Sequence, residues 1–132
     1  MSAPPELLDG VPLFDGLTRQ ERSSIASSMK SRTLAPDETI AVEGEQGVGF
    51  FVIETGKARV TVGGEDRRTL GPGDHFGEIA LISRAARSAT VTAETEMRCW
   101  GITSWEFRPI VQDNASVAWS LLESMAKLLS ER

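Results

Sequence analysis

A chain of 132 residues is long enough for one domain with one sizeable core, and 14 basic against 19 acidic residues give a net charge of −5. Lys and Arg that are scattered under a net negative charge exclude a duplex-binding surface, which needs them clustered on one face. A single cysteine, Cys99, and a single histidine, His75, exclude structural zinc sites, a disulfide framework and Cys–His nucleophilic chemistry, and they fit a reducing cytoplasm.

The N-terminal MSAPPELLDG has neither a basic n-region nor an apolar stretch, and the chain has no run of 18 apolar residues. It is therefore expected to be cytoplasmic, neither secreted nor membrane-spanning by itself. From Thr18 to about Met29 the pattern is helical: Thr18 and Glu21 are spaced as a capping box, and Leu17, Ile25 and Met29 supply an apolar stripe. Between Arg32 and Ile102 the character changes to short β-type runs broken at Pro36–Asp37, Gly44 to Gly49, Thr55–Gly56, Gly63–Gly64 and Pro72–Gly73. Gly63–Gly64 separates KARVTV from EDRRTL as a type I′ hairpin would, and Pro72–Gly73 fits the centre of a type II turn. About eight short strands result, and such spacing predicts a barrel, sandwich or jelly-roll arrangement.

Helical signals return after Ile102. Thr103 and Glu106 form a second capping box, Pro109 predicts a kink or boundary, and Asn114 is a natural N-cap, which is a better reading of Asn114–Ala115–Ser116 than a glycosylation sequon. The last helix, from about Ala115 to Ser130, has apolar residues at Val117, Ala118, Trp119, Leu121, Leu122, Met125, Leu128 and Leu129. That is more than one face, so a second surface, such as another copy of the chain, is expected to cover part of it.

The stretch with chemical content is FGEIALISRAARSATV at 76–91, mostly apolar but with Glu78 and Arg87 nine positions apart. If it is buried, each charge needs a partner. A small phosphate ester supplies one for Arg87, as a bidentate charge-assisted clamp. Gly77 would let the backbone approach closely, a helical turn from Ile79 to Ile82 would offer amide N–H groups, and Ser88 would offer a hydroxyl. Glu78 would be repelled by a phosphate, so its use is to accept from a ribose hydroxyl while Arg87 holds its charge. Ribose and phosphate together mean a nucleotide. With no GxxxxGK[ST] run and few cations, a cyclic phosphodiester, a monoanion, matches better than a triphosphate.

The same stretch resembles the phosphate-binding cassette of the cyclic nucleotide-binding domain family, in which FGE and an apolar turn are followed by R-[STA]-A-x-V. The likeness extends through PLFDGLT at 12–18, VEGEQGVGFFVIETGKARV at 42–60 and LGPGDHFGE at 70–78. The resemblance implies a mainly β fold: an eight-stranded antiparallel, jelly-roll-like β-roll (32–102) with an N-terminal helical segment (1–31) and C-terminal helices (103–132). It also implies that Glu78 accepts from the ribose 2′-hydroxyl and that Arg87 binds the equatorial phosphate oxygen, assisted by Ser88, Ala89 and amides near Gly77, Ile79 and Ala80. Phe76 and Val60 would lie beside the ligand, with Val60 on the Ala58, Val60, Val62 face turned to the purine. The final helix would act as a lid, with Leu122, Met125 and Leu129 within reach.

Two departures stand out. Ala86 replaces a common proline and is expected to loosen the loop, and no helix-turn-helix follows, so DNA binding is not implied. The implied function is a non-catalytic sensor with no cofactor beyond its ligand, cyclic AMP favoured over cyclic GMP, that moves its C-terminal helices on binding. The competing reading is a nucleotide-free roll in which Glu78 and Arg87 bridge each other, used for protein interaction or dimerisation. An enzyme would need more histidines or an activated water. Arg84 reads as a solvated loop charge, His75 as a surface or turn residue, Cys99 as a buried apolar residue, and Trp100, Trp105 and Trp119 as packing residues.

Overall fold

The computed structural model of the protein describes residues 3–47, 49–83 and 86–131. A 3-10 turn at Pro12–Phe14, with proline at its start, precedes helix α1 (Arg19–Ser27). Eight strands follow: β1 (Lys30–Leu34), β2 (Thr39–Ala41), β3 (Gly49–Thr55), β4 (Ala58–Val62), β5 (Glu65–Leu70), β6 (His75–Phe76), β7 (Thr90–Ala93) and β8 (Met97–Thr103). Helices α2 (Ser104–Gln112) and α3 (Ala115–Ser130) close the fold. The strands make two antiparallel four-stranded sheets, ordered β1-β8-β3-β6 and β2-β7-β4-β5. This is the predicted eight-stranded roll with flanking helices.

Local chemistry explains the element ends. Thr18 and Thr103 each accept from the amide three residues on while Glu21 and Glu106 reach back to the cap amide, so both capping boxes are complete. Each satisfies two otherwise orphaned donors, and the cap alone is worth about 1 kcal/mol. Asn114 caps α3 through Val117 N at 3.3 Å. Gly63 and Gly64 both have positive φ, as a type I′ hairpin requires. Pro109 does not end α2, which runs on to Gln112 before Asp113 caps it. The helix thus ends three residues after the expected boundary.

The central strands of the first sheet, β3 and β8, are buried on both faces, while the edge strand β1 is exposed except at Leu34. On its helix side Phe50, Val52, Trp100 and Ile102 pack with Phe14, Ile25, Phe107, Val117 and Leu121. On the roll side Ile53, Met97 and Cys99 pack with Ala58, Val60, Leu70 and Val91 of the second sheet. Phe51 also faces inward, over Gly101, its register partner; a Cβ there would stand 2.6 Å from the ring, so only glycine admits it. The Phe51 ring in turn stacks on Phe76 at 5.2 Å. Cys99 is the buried apolar residue expected, its thiol pushed up to about 11 by burial. Of the three tryptophans only Trp100 packs inside. Trp105 and Trp119 are exposed, because each lies about half a helical turn from the buried Phe107 or from Val117 and Leu121.

Candidate functional site

Gly77 turns the chain after β6. Its φ of 93° and ψ of 11° are left-handed, and a Cβ would overlap the Gly49 carbonyl oxygen and stand 2.6 Å from Arg87 Nη1. Only glycine fits such a position. The turn starts a 3-10 helix, Glu78–Leu81, whose Leu81 anchors in the helix-side core while Ile79 stays 70% exposed. The Ala80 amide donates to Gly77 O at 3.0 Å, so it is engaged in the turn itself.

Arg87 is held by the loop that follows β2. Its amide donates to Glu45 O at 2.8 Å, its carbonyl accepts from Gly44 N at 2.9 Å, and Gln46 and Ala86 form an antiparallel bridge. Ala86 thus takes part in the backbone pairing that holds Arg87. The side chain passes between Gly47 and Gly77 and donates from Nη2 to Gly49 O at 2.8 Å. A Cβ on Gly47 would overlap Nε and come within 2.7 Å of Cδ, so two glycines form the slot that holds the guanidinium. Burial lowers the Arg87 guanidinium from its ordinary value, and it remains a cation at neutral pH.

Glu78 and Arg87 do not form an ion pair with each other, nor does any carboxylate among the described residues pair with Arg87. The expectation that Arg87 holds the Glu78 charge is corrected. Glu78 turns back instead to His75, with Oε2 2.8 Å from Nδ1. Nδ1 is buried and off the line of a well-formed hydrogen bond, so the two groups stand in close contact without one. Burial would raise the Glu78 carboxyl, but His75, its own amide and Arg68 outweigh that and hold it below the usual carboxylate range. His75 is thus a half-buried strand residue, its ring beside Phe50 on the helix side of the sheet and its Nδ1 against Glu78, not a surface or turn residue.

A cleft of about 190 Å³ gathers nine of the ten expected residues: Val60, Phe76, Gly77, Glu78, Ile79, Ala80, Arg87, Ser88 and Ala89. The tenth, Met125, is elsewhere. It lines an adjoining apolar groove with Leu128, Leu129, Pro12 and Leu13, which meets the cleft at Glu78 and Ile79. Leu122 lines neither and is exposed, and Arg84 lies outside the described residues. Three residues escape a reading of the sequence alone: Gly47, His75 and Arg68. Arg68 lines the cleft because it pairs directly with Val60, which puts both side chains on one face of the second sheet. Chemically, the cleft offers an apolar wall, one fixed cation, one polarised carboxylate and a second cation.

The family model described as "Cyclic nucleotide-binding domain" matches residues 31–114, well over half of the chain. The chain belongs to that family. A cAMP-dependent protein kinase regulatory subunit of Yarrowia lipolytica is 40% identical over 93 residues, 69% of this chain and 25% of that protein. A cGMP-dependent protein kinase of Toxoplasma gondii is 36% identical over 97 residues, 74% of this chain and 10% of that protein. The chain thus spans a quarter or less of these relatives' length. Among solved structures, the N-terminal domain of a transcriptional regulator from Streptomyces coelicolor A3(2) superposes with a TM-score of 0.87 at 28% identity, covering 95% of this chain and 93% of that one. The cyclic nucleotide-binding domain is a regulatory, non-catalytic unit, and no helix among the described residues is long and apolar enough to cross a membrane.

Proposed function

We propose that the chain is a cytoplasmic cyclic nucleotide sensor that takes cyclic AMP in the cleft between Glu78 and Arg87 and passes occupancy to α3. The observation that carries this reading is the pair of unlinked charges: each is positioned by its own surroundings, and neither neutralises the other. A roll that has abandoned its ligand has no use for a cation held in a glycine slot. Arg87 would clamp the phosphate and Glu78 would accept from the ribose 2′-hydroxyl. Ser88 would add a hydroxyl, while Val60, Phe76 and Ala89 would face the sugar and base. Calorimetry tests it. Cyclic AMP should bind, and 2′-deoxy cyclic AMP should bind clearly worse, because a site built for a hydroxyl rejects the analogue lacking it. Equal affinity for the two would remove Glu78 from the ligand shell.

The relative of highest quoted identity is named for cyclic AMP, which supports that base. One observation favours cyclic GMP instead: Arg68 stands on the Val60 face, and an arginine can donate two hydrogen bonds to guanine O6 and N7. A competition assay decides. A tenfold preference for cyclic GMP that disappears in Arg68→Ala would reverse the assignment.

Transmission to α3 is supported by the groove that joins Ile79 and Ile82 of the cassette to Met125, Leu128 and Leu129. A ligand that moves the short helix shifts this apolar contact, and it biases two states only by contacting one of them better. Hydrogen exchange over 115–130 should slow at saturating cyclic nucleotide, and unchanged exchange would end the coupling. The outer face of α3 supports a homodimer. Trp119, Leu122, Ala126 and Leu129 are exposed at 3-4-3 spacing, the seam of a two-stranded coiled coil.

A further inference from the structure

His75 is the chain's only histidine, and its position is dictated by the fold. β6 is two residues long and is pinned by Val52 opposite His75 and Phe51 opposite Phe76, while the left-handed Gly77 brings residues 75 and 78 together. The imidazole is half-buried, its ring centroid 5.9 Å from that of Phe50. Its Nδ1 is buried, has no hydrogen-bond partner, and stands 2.8 Å from Glu78 Oε2.

The surroundings leave few other charges to act on the pair. β3 contributes Phe50 and Val52, and the groove beside Glu78 contributes Pro12, Leu13 and Met125, none of which titrates. Asp74 is turned away to the Gly71 amide at 2.7 Å. The charged groups that share the cleft with Glu78 are Arg68 and Arg87, both permanent cations.

We propose that His75 is the positioning residue for Glu78, its imidazolium holding Oε2 so that the other oxygen meets the ribose hydroxyl, and that cyclic nucleotide affinity consequently rises as pH falls from about 8 to about 6. The inference rests on the ribose role given to Glu78 above. Two effects act in the same direction. The imidazolium fixes the carboxylate rotamer before ligand arrives, and its charge offsets the repulsion between that carboxylate and an incoming phosphate monoanion. A group acting only through packing would change affinity equally at every pH.

The experiment is calorimetry of cyclic AMP with the full chain at about pH 6 and about pH 8, for the parent, His75→Gln and His75→Asn, with melting curves to show that each variant is folded. The parent should bind about fivefold tighter at the lower pH, and both variants should lose most of that gain. With 2′-deoxy cyclic AMP the parent's gain should shrink, because the hydroxyl that meets Glu78 is gone. A folded His75→Gln that keeps the parental pH profile overturns the inference and leaves the nucleotide reading intact. A parent that binds neither cyclic AMP nor cyclic GMP overturns the nucleotide reading and the ribose role with it. A ligand-free arm tests the pair directly: in the NMR titration of the His75 ring, Glu78→Gln should move the midpoint to lower pH. An unmoved midpoint overturns the pairing whatever the chain binds.

Discussion

Replacing Gly47 with alanine should weaken nucleotide binding while sparing the fold, because the three atoms nearest the new methyl all belong to the Arg87 side chain. The Cβ would overlap Arg87 Nε and stand 2.7 Å from Cδ and 2.8 Å from Cζ, with no backbone atom among these contacts. Gly47 does not use the left-handed region, so alanine is conformationally acceptable and restricts the unfolded chain, a gain of about 0.4–1 kcal/mol. Against that, Arg87 must swing out of its slot and release Gly49 O, a charged hydrogen bond worth about 1.5–3 kcal/mol. The net cost to stability is about 1–2 kcal/mol, a few degrees in Tm. Binding suffers more than this figure suggests in practice, since the displaced guanidinium no longer meets the phosphate. Losing that charged contact is again about 1.5–3 kcal/mol, or roughly tenfold to a hundredfold in Kd. Calorimetry with cyclic AMP and a thermal melt measure the two effects separately. Gly71→Ala is the control, as nothing lies within 4 Å of its added Cβ and its φ is not positive. A folded Gly47→Ala that binds like the parent would refute the slot as the device that aims Arg87.

Arg87→Leu should bind at least a hundredfold more weakly, about 3 kcal/mol, with the roll still folded, and near-parental affinity by calorimetry would move the site elsewhere. Acid should destabilise the chain in a defined window. Glu21, Glu78 and Glu106 are all held below the usual carboxylate range, so their contributions are full above the unfolded value near about 4.3 and disappear as pH falls through the lower folded values. Melts from pH 6 to about pH 3 should show the loss, and Glu21→Gln should flatten part of it; a flat profile would contradict the sign. Leu122→Glu should shift the chain toward monomer in light scattering without lowering cyclic AMP affinity, because Leu122 is exposed and lines neither the cleft nor the groove.

The parts of this molecule that were legible in the sequence are those decided by neighbours in the chain. Thr18 with Glu21, Thr103 with Glu106 and Asn114 are caps because a hydroxyl, carboxylate or amide can reach an amide three residues away, whatever the rest of the protein does. The cleft was nearly legible too, since FGE and the arginine nine residues on lie within one short stretch. Long-range placement was not. Gly47 is ordinary by its conformation and becomes necessary only when Arg87, forty residues later, is threaded past it. Met125 has the spacing of a lid residue, but α3 packs against residues 12–14 and carries it into the neighbouring groove.

Arg68 shows most sharply why such residues escape. The Gly63–Gly64 hairpin sets Val62 opposite Glu65 and Thr61 opposite Asp66, and continuing that register would set Val60 opposite Arg67. A bulge between Val60 and Thr61 shifts the pairing by one, so that Val60 meets Arg68 instead. Because side chains alternate between faces, this single irregularity decides which of two adjacent arginines turns toward the cleft and which toward solvent. Nothing in VTVGGEDRRTL distinguishes them by type, and both are equally good cations. A backbone feature one residue long, a register shift and not a change of residue type, therefore brings a second arginine to the cleft.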